Sequence, residues 1–204
     1  MVTAPEKKKR KEDARVIRTK ANLVSTFKTM LAEKPFEDIT INEVCTRANI
    51  RRATFYKSFS DKYTFLTYLV GSLRDDFDKS MPKEKHPDSS SAYYVEYIHA
   101  IVHFLEQNDK MVTNIVNSNV LPVLMEIIKE KNYLDTCDRL RHSVSKGMAL
   151  PASVEVTAAM MTGAVANVLL KWVKNGKTMP VTTLISEVSS VIRTISPMPH
   201  TIIM

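Results

Sequence analysis

Between Arg51 and Ser58 the chain gathers groups that hold anions and base edges, not groups that break bonds. Arg51, Arg52 and Lys57 supply cations, and Thr54, Tyr56 and Ser58 supply hydroxyls. An arginine presents a planar fork of donors that matches a phosphate or the edge of a guanine, and hydroxyls donate to phosphate oxygens. Phe55 and Phe59 stand four residues apart in the same stretch, so they share one helical face and can anchor it to a core. A short helix held by two rings on one side and presenting Arg, Thr, Tyr and Lys on the other suits the major groove of duplex DNA.

The residues just upstream are those needed to aim such a helix. Thr40 and Glu43 have the spacing of a capping box, which satisfies orphan N–H groups where a helix begins. Ile39 and Val44 sit where a hydrophobic staple closes. This first helix runs about two turns to Ala48. Asn49 then falls where a left-handed residue is required, and Asn tolerates that conformation better than any residue but Gly. Ile50 can fold back onto Cys45. Behind the second helix, Ser60 is placed to N-cap a long helix from Asp61 to about Lys79, whose buried side would carry Phe65, Leu66, Leu69, Val70, Leu73 and Phe77. The sequence thus reads as two short helices joined by a tight turn, with a third starting behind them.

Charge supports the same reading independently. Residues 1–62 hold 15 basic and 8 acidic residues, whereas residues 63–204 hold 14 of each, so the whole excess of +7 lies in the first third. Segregated positive charge is the electrostatic footprint of nucleic-acid binding. A solvated basic tail accounts for Lys7–Lys11 but not for Arg47, Arg51, Arg52, Lys57 and Lys62, which lie within or beside the helical elements.

Enzyme chemistry finds no foothold. Only four glycines occur, with no GxGxxG and no Walker motif. Of five histidines (His86, His99, His103, His142 and His200), His99 and His103 are four apart and could share a metal on one helix face, but two such ligands are weak evidence of a metal site. No Ser/His/Asp or Cys/His constellation is legible. Cys45 and Cys137 make neither a disulfide framework nor a zinc signature. No apolar run approaches the ~20 residues of a spanning helix, and no apolar stretch follows the charged N-terminus as in a secretory signal, so the expectation is a cytoplasmic protein with no cofactor, no metal and no membrane partner.

The remaining chain reads as all-α. A basic arm (1–12) precedes a helix from about Asp13 to Glu33 with an apolar stripe of Ile17, Ala21, Val24, Phe27 and Leu31, stopped by Lys34-Pro35. Residues 80–91 are loop by composition. Further helices are expected at about Ala92–Glu106, over Met111–Met148 with breaks near Pro122 and Asn132, at Val154–Lys174 with Ser153 as N-cap, and at Val181–Ile195 before a Pro197/Pro199 tail. The domains are then 13–62, the helix-turn-helix unit, and 63–196, a helical bundle, with a tail at 197–204. The last two helices are apolar over a wide arc, and Ala158, Ala159, Gly163 and Ala166 would admit a close neighbour; a second copy of the chain is the expected partner.

The run Phe36-Glu37-Asp38-Ile39-Thr40, then Ala48-Asn49-Ile50, then Ala53-Thr54-Phe55-Tyr56-Lys57-Ser58-Phe59-Ser60-Asp61-Lys62 resembles the TetR/AcrR family of bacterial transcriptional regulators over roughly residues 14–65. Lys171-Trp172-Val173-Lys174-Asn175-Gly176 resembles a subgroup of that family that includes a regulator of dihydroxyacetone metabolism. The sequence departs from the family pattern at Asn49 and Ala53, where Gly is usual, and at Ser58, where His is usual.

The resemblance implies an all-α homodimer with a three-helix DNA-binding domain, a ligand-receiving C-terminal domain and a dimer interface built from its last two helices. It implies phosphate contacts for Thr40, Tyr56 and Lys62, with Ser58 in the place of a phosphate-binding His, and groove contacts for Arg51, Arg52, Thr54 and Lys57, on a palindromic duplex. A cation at Lys62, in the first turn of a helix, opposes the macrodipole, and a bound phosphate would reverse that penalty. Tyr97, His103, Phe104, Met125, Met160 and Trp172, within an unusually Met-rich chain of 11 methionines, form the candidate pocket set for a small apolar effector. The expectation is a repressor released by that effector. The alternative is a regulator or co-activator answering a protein partner: a cavity with converging polar groups points to the first, a filled core with an exposed apolar patch to the second.

Overall fold

The computed structural model describes residues 14–80 and 90–195. The basic arm at 1–12, most of the 80–91 loop, and the 197–204 tail lie outside the described residues. Among the described residues there are nine α-helices, one 3-10 turn and no strand, as the sequence pattern requires.

Helix α1 (Ala14–Glu33) buries Leu23, Phe27, Met30 and Leu31. The expected stripe is right at Phe27 and Leu31 but wrong at its start: Ile17 is 53% exposed and Ala21 is exposed. The cause is length. A 20-residue helix spans about 30 Å, whereas α2 (Ile41–Arg47) and α3 (Arg52–Tyr56) span only about 10 Å and 8 Å. The start of α1 overhangs the core: Ala14 to Arg18 are exposed, and the helix first meets its neighbours at Lys20, whose ammonium lies over the Phe59 and Tyr68 rings.

Between α1 and α2 lies the 3-10 turn Phe36–Asp38. Helix α4 (Lys62–Ser80) follows α3. Its N-cap differs from expectation: Asp61 Oδ1, not the Ser60 hydroxyl, accepts the Thr64 N–H at 2.7 Å, and Ser60 Oγ donates to Asp61 Oδ2 instead. A carboxylate there also complements the helix dipole. Five rings fill the space these elements enclose. Phe65 of α4 lies 4.9 Å from Phe27, 5.4 Å from Phe55 and 4.7 Å from Phe59, and Phe36 lies 6.2 Å from Phe27.

Helices α5 (Ser90–Gln107), α6 (Asp109–Val116), α7 (Leu121–Ser145), α8 (Val154–Lys174) and α9 (Val181–Ile195) build the rest. Pro122 sits in the first turn of α7, where its missing N–H costs nothing, so the expected break falls there. The break expected at Asn132 does not occur. The Asn132 Oδ1 accepts from Arg74 of α4 and from the Tyr97 hydroxyl of α5, and these tertiary bonds offset its weak helix propensity. Ser153 caps α8 through Val156 N–H, and Gly176, at φ +69°, closes it with the Lys177 N–H bonded to Trp172 O. At 21 residues α8 is, by length and composition, apolar enough to cross a bilayer, which corrects the expectation that no run qualifies. Of its small residues Ala158 turns inward onto Cys137 and Leu140, whereas Ala159 is exposed.

One buried cluster runs without interruption from Leu23 of α1 through α4 to Met111, Val112 and Val120 around α6. Helix α6 is tied to the N-terminal unit by Asn114 Nδ2, which donates to Leu31 O at 2.9 Å, and just beyond it by Asn119 N–H, which donates to Glu37 Oε1 at 2.6 Å.

Candidate nucleic-acid interface and effector cavity

Helix α2 begins as its sequence dictates. Thr40, in extended conformation, accepts the Glu43 N–H on Oγ1 at 3.2 Å. The capping box is only half made, because the Glu43 carboxylate turns to Lys34 at 2.6 Å and to Arg47 at 3.6 Å. The Lys34 hydrogen bond, ahead of the Coulombic pull of Lys34 and Arg47, holds the Glu43 carboxyl below its usual range. At the far end Asn49 adopts φ +53°, and Ile50 N–H bonds Cys45 O at 2.9 Å while Asn49 N–H bonds Thr46 O. This is the C-terminal closure that a left-handed residue permits. The Asn22 side chain of α1 clamps the turn through Ala48 O at 2.8 Å.

The turn delivers α3 with Phe55 and Phe59 buried and Arg51, Arg52, Tyr56, Lys57 and Ser58 exposed on its outer side; Thr54 is half-buried. The Arg52 guanidinium lies over the Tyr56 ring at 5.8 Å, and Tyr56 meets Phe55 edge-on at 5.5 Å. Arg51, Arg52 and Lys57 have no carboxylate partner among the described residues. Arg47, counted with them from sequence, is instead spent on Glu33 and Glu43.

Lys62 occupies a different position from the one its charge suggested. Its ammonium donates to the carbonyls of Phe36, Glu37 and Ile39 at 3.0, 3.0 and 3.2 Å and lies 4.5 Å from the Phe36 ring. An ammonium has three N–H donors, and all three are engaged. The penalty of a cation at a helix N-terminus is therefore met by backbone carbonyls of the 3-10 turn, not by a phosphate. Lys62 holds α4 against the segment that leads into α2.

Behind this unit, helices α4 to α9 line a half-open cavity of about 530 Å³, within the range that takes a small organic ligand. Tyr97, Phe104 and Met125 of the candidate set line it. The other three lie elsewhere. His103 is exposed and bonded to Gln107 at 2.8 Å. Met160 is 60% exposed on the outside of α8. Trp172 is buried in the cluster of α5, α8 and α9 and donates Nε1–H to Met179 O at 2.9 Å. Sequence reading missed Arg74, Tyr94, Asn132 and Arg139 on the cavity wall. A signal did exist for Arg74, which interrupts the apolar face of α4 between Leu73 and Phe77. No group of three or more His, Cys, Asp or Glu able to hold a metal occurs among the described residues.

No protein-family model matches the chain. Over 70 residues it is 37% identical to an uncharacterized HTH-type transcriptional regulator, YxbF, of Bacillus subtilis (strain 168), a match covering 34% of this chain and only 18% of that protein. Among solved structures it is similar to a TetR-family transcriptional regulator of Pectobacterium atrosepticum (14% identity, 93% and 100% of the two chains, TM-score 0.66). A protein of Syntrophomonas wolfei provisionally assigned to the same family superposes at TM-score 0.71, with 16% identity over 87% and 94% of the chains. The dihydroxyacetone kinase operon activator DhaS superposes at TM-score 0.58, with 16% identity over 87% and 96%. The chain has the fold of the TetR-family transcriptional regulators, and over a 70-residue stretch it is related in sequence to a bacterial regulator of the helix-turn-helix type.

Proposed function

We propose that the protein is a sequence-specific DNA-binding transcriptional regulator of the cytoplasm, a homodimer and not an enzyme, acting as a repressor released by a small, largely apolar effector. The observation that carries the reading is the two-sided α3: Phe55 and Phe59 fix it to a filled core while Arg51, Arg52, Tyr56 and Lys57 face outward, the cations without a carboxylate partner among the described residues. Arg51, Arg52 and Lys57 are assigned to the major groove, with Thr54 at its edge, and Thr40, Tyr56 and Ser58 to phosphates. The backbone N–H groups at the start of α4, not the Lys62 ammonium, are the better phosphate donors there.

Dimerisation is assigned to α8 and α9. Val156, Met160 and Val168 on α8 and Val191 on α9 are large apolar residues exposed at 39% or more. A two-fold dimer imposes a palindromic site with one α3 per major groove. A cavity of this volume, with polar groups converging on one flank, supports a small-molecule effector over a protein partner. Its wall includes α4 and α6, and both are also packed against the DNA-binding unit. An effector that shifts either helix would change how the two α3 helices are spaced, and a tenfold loss of DNA affinity needs about 1.4 kcal/mol of coupling.

The test is selection of bound duplexes from a random library, with light scattering on the protein alone. The expected result is an inverted repeat whose affinity collapses when one half is scrambled, and a mass twice the 23.1 kDa of the chain. A monomer mass, or enrichment of no common sequence, refutes the reading.

A further inference from the structure

The cavity wall is apolar except for Thr162 of α8 and along one flank, where α4, α5 and α7 meet. Most polar groups there satisfy one another. Arg74 pairs with Asp135 and Asn132, the Tyr97 hydroxyl donates to Asn132 at 3.0 Å, and Lys131 lies 3.9 Å from Asp75. Two groups are left over. The Tyr94 hydroxyl, on a residue only 7% exposed, makes no hydrogen bond of good geometry, although the Thr136 side chain stands beside it. Arg139, one helical turn beyond Asp135, has no carboxylate within ion-pairing distance among the described residues; its guanidinium lies 3.6 Å from the centre of the Tyr93 ring. A buried donor without a partner is costly, and a stacked guanidinium is a preorganised fork for an oxyanion. Burial, opposed by the Thr136 side chain and by the Coulombic effect of Arg139, pushes the Tyr94 hydroxyl far above its ordinary value, so it is a proton donor at any working pH.

The same flank argues against a cationic ligand. Aromatic faces could cradle one, but Arg74 already lies over Tyr97 at 5.9 Å and Arg139 over Tyr93. A third cation would meet two guanidinium groups and, among the described residues lining the cavity, no unoccupied carboxylate.

We infer that the effector is an anionic amphiphile: an apolar body filling the space between α4, α6 and α8, with a single carboxylate-like head received by Arg139 and the Tyr94 hydroxyl. This rests on the reading of the cavity as the effector site.

The test is calorimetric titration of the full-length protein with three probes that share a tail, namely decanoate, decan-1-ol and decyltrimethylammonium. Decanoate should bind about tenfold or more tighter than the alcohol, as a charge-assisted pair implies, and the cation weakest. Arg139→Gln, at an exposed position that should not perturb folding, should abolish the preference for decanoate while leaving the alcohol's affinity unchanged. Tyr94→Phe should weaken decanoate several-fold with the same control. Equal binding of acid and alcohol, preference for the cation, no binding of any probe, or an unchanged preference in Arg139→Gln overturns the inference. Decanoate that binds selectively yet leaves operator affinity unchanged sustains the ligand class and defeats the regulatory reading instead. An alcohol or cation that releases DNA does the reverse.

Discussion

The two ends of α4 lie in opposite kinds of interior. At its N-terminal end, Phe65 enters a core closed by Phe27, Phe36, Phe55 and Phe59, each 4% exposed or less, and Leu66 and Leu69 stand at the boundary, buried in that cluster and also lining the cavity. At its C-terminal end, Leu73, Arg74 and Phe77 face about 530 Å³ of open space. One helix thus joins a solid unit to a hollow one. The solid unit has one task, to hold α3 at a fixed angle, and interdigitated rings at crystal-like density do that. The hollow unit forgoes that packing enthalpy, and on the reading proposed above gains room to admit a ligand, its tyrosines and methionines being side chains that adapt to a guest. Rigidity where shape must be kept and looseness where it must change is the division a switch requires.

The sharpest way to break this comparison is to hollow out the solid side. Phe65 touches three other rings, so Phe65→Ala should cost about 3–5 kcal/mol, the range for deleting a buried ring from a close-packed core. Chemical denaturation should show it directly, and DNA binding should disappear with it. A loss below about 1 kcal/mol would mean the N-terminal core is no better packed than the cavity wall.

A smaller effect is expected at Lys62, where the solid unit is held by charge. Lys62→Met keeps the stem over Phe36 but takes a donor from three carbonyls, of which Phe36 O alone keeps a bond, from the Ile39 N–H, and should cost about 1–3 kcal/mol. Its DNA affinity should fall for operator and scrambled duplex alike, through poorer alignment of α2, and the slope of log affinity against log salt should not change. A slope reduced by about one, with stability intact, would return Lys62 to the phosphates. Arg52→Ala should do the opposite. Stability should stay within about 0.5 kcal/mol, as at an exposed site, while discrimination between operator and scrambled duplex falls by about 1–3 kcal/mol. Equal losses on both duplexes would move Arg52 from the groove to the backbone.

How much of this was legible in the sequence follows the same divide. The helix-turn-helix could be read because its signals are local. Thr40 caps three residues on, Asn49 needs only its own backbone, and Phe55 and Phe59 announce a face by spacing alone. What failed there were long-range pairings. The Glu43 carboxylate goes to Lys34 rather than back to Thr40, and Lys62 finds carbonyls more than twenty residues upstream. In the bundle, helix positions were legible from caps and periodicity, but the cavity set was not. On α8, Met160 and Met161 are adjacent, yet one is 60% exposed and the other 3%. A helix turns about 100° per residue, so which of two neighbours faces inward depends on packing partners that no local pattern names. Arg139 and Tyr94 were missed for a related reason: what marks them is the absence of a partner, and that can be judged only once the other polar groups have been paired off.

The finest test of solid against hollow makes the same substitution in both. Ala48 and Ala166 are both alanines on helical backbone, the first 3% exposed within the N-terminal core and the second half-buried on the cavity wall. Adding methylenes to a filled core forces neighbours off their rotamers, so Ala48→Leu should destabilise by about 1–3 kcal/mol. Ala166→Leu meets space instead, and burying new apolar surface against the cavity wall should leave stability within about 1 kcal/mol of the parent, on the stabilising side. The same methylenes occupy volume an effector needs, so ligand affinity should fall while DNA affinity without ligand stays put. Thermal melting and titration on the two variants decide it. If Ala166→Leu destabilises as much as Ala48→Leu, the cavity is closed in solution, and the apolar effector loses its place. If it stabilises and also raises resting DNA affinity, the cavity wall is itself the element that sets the spacing of the two α3 helices.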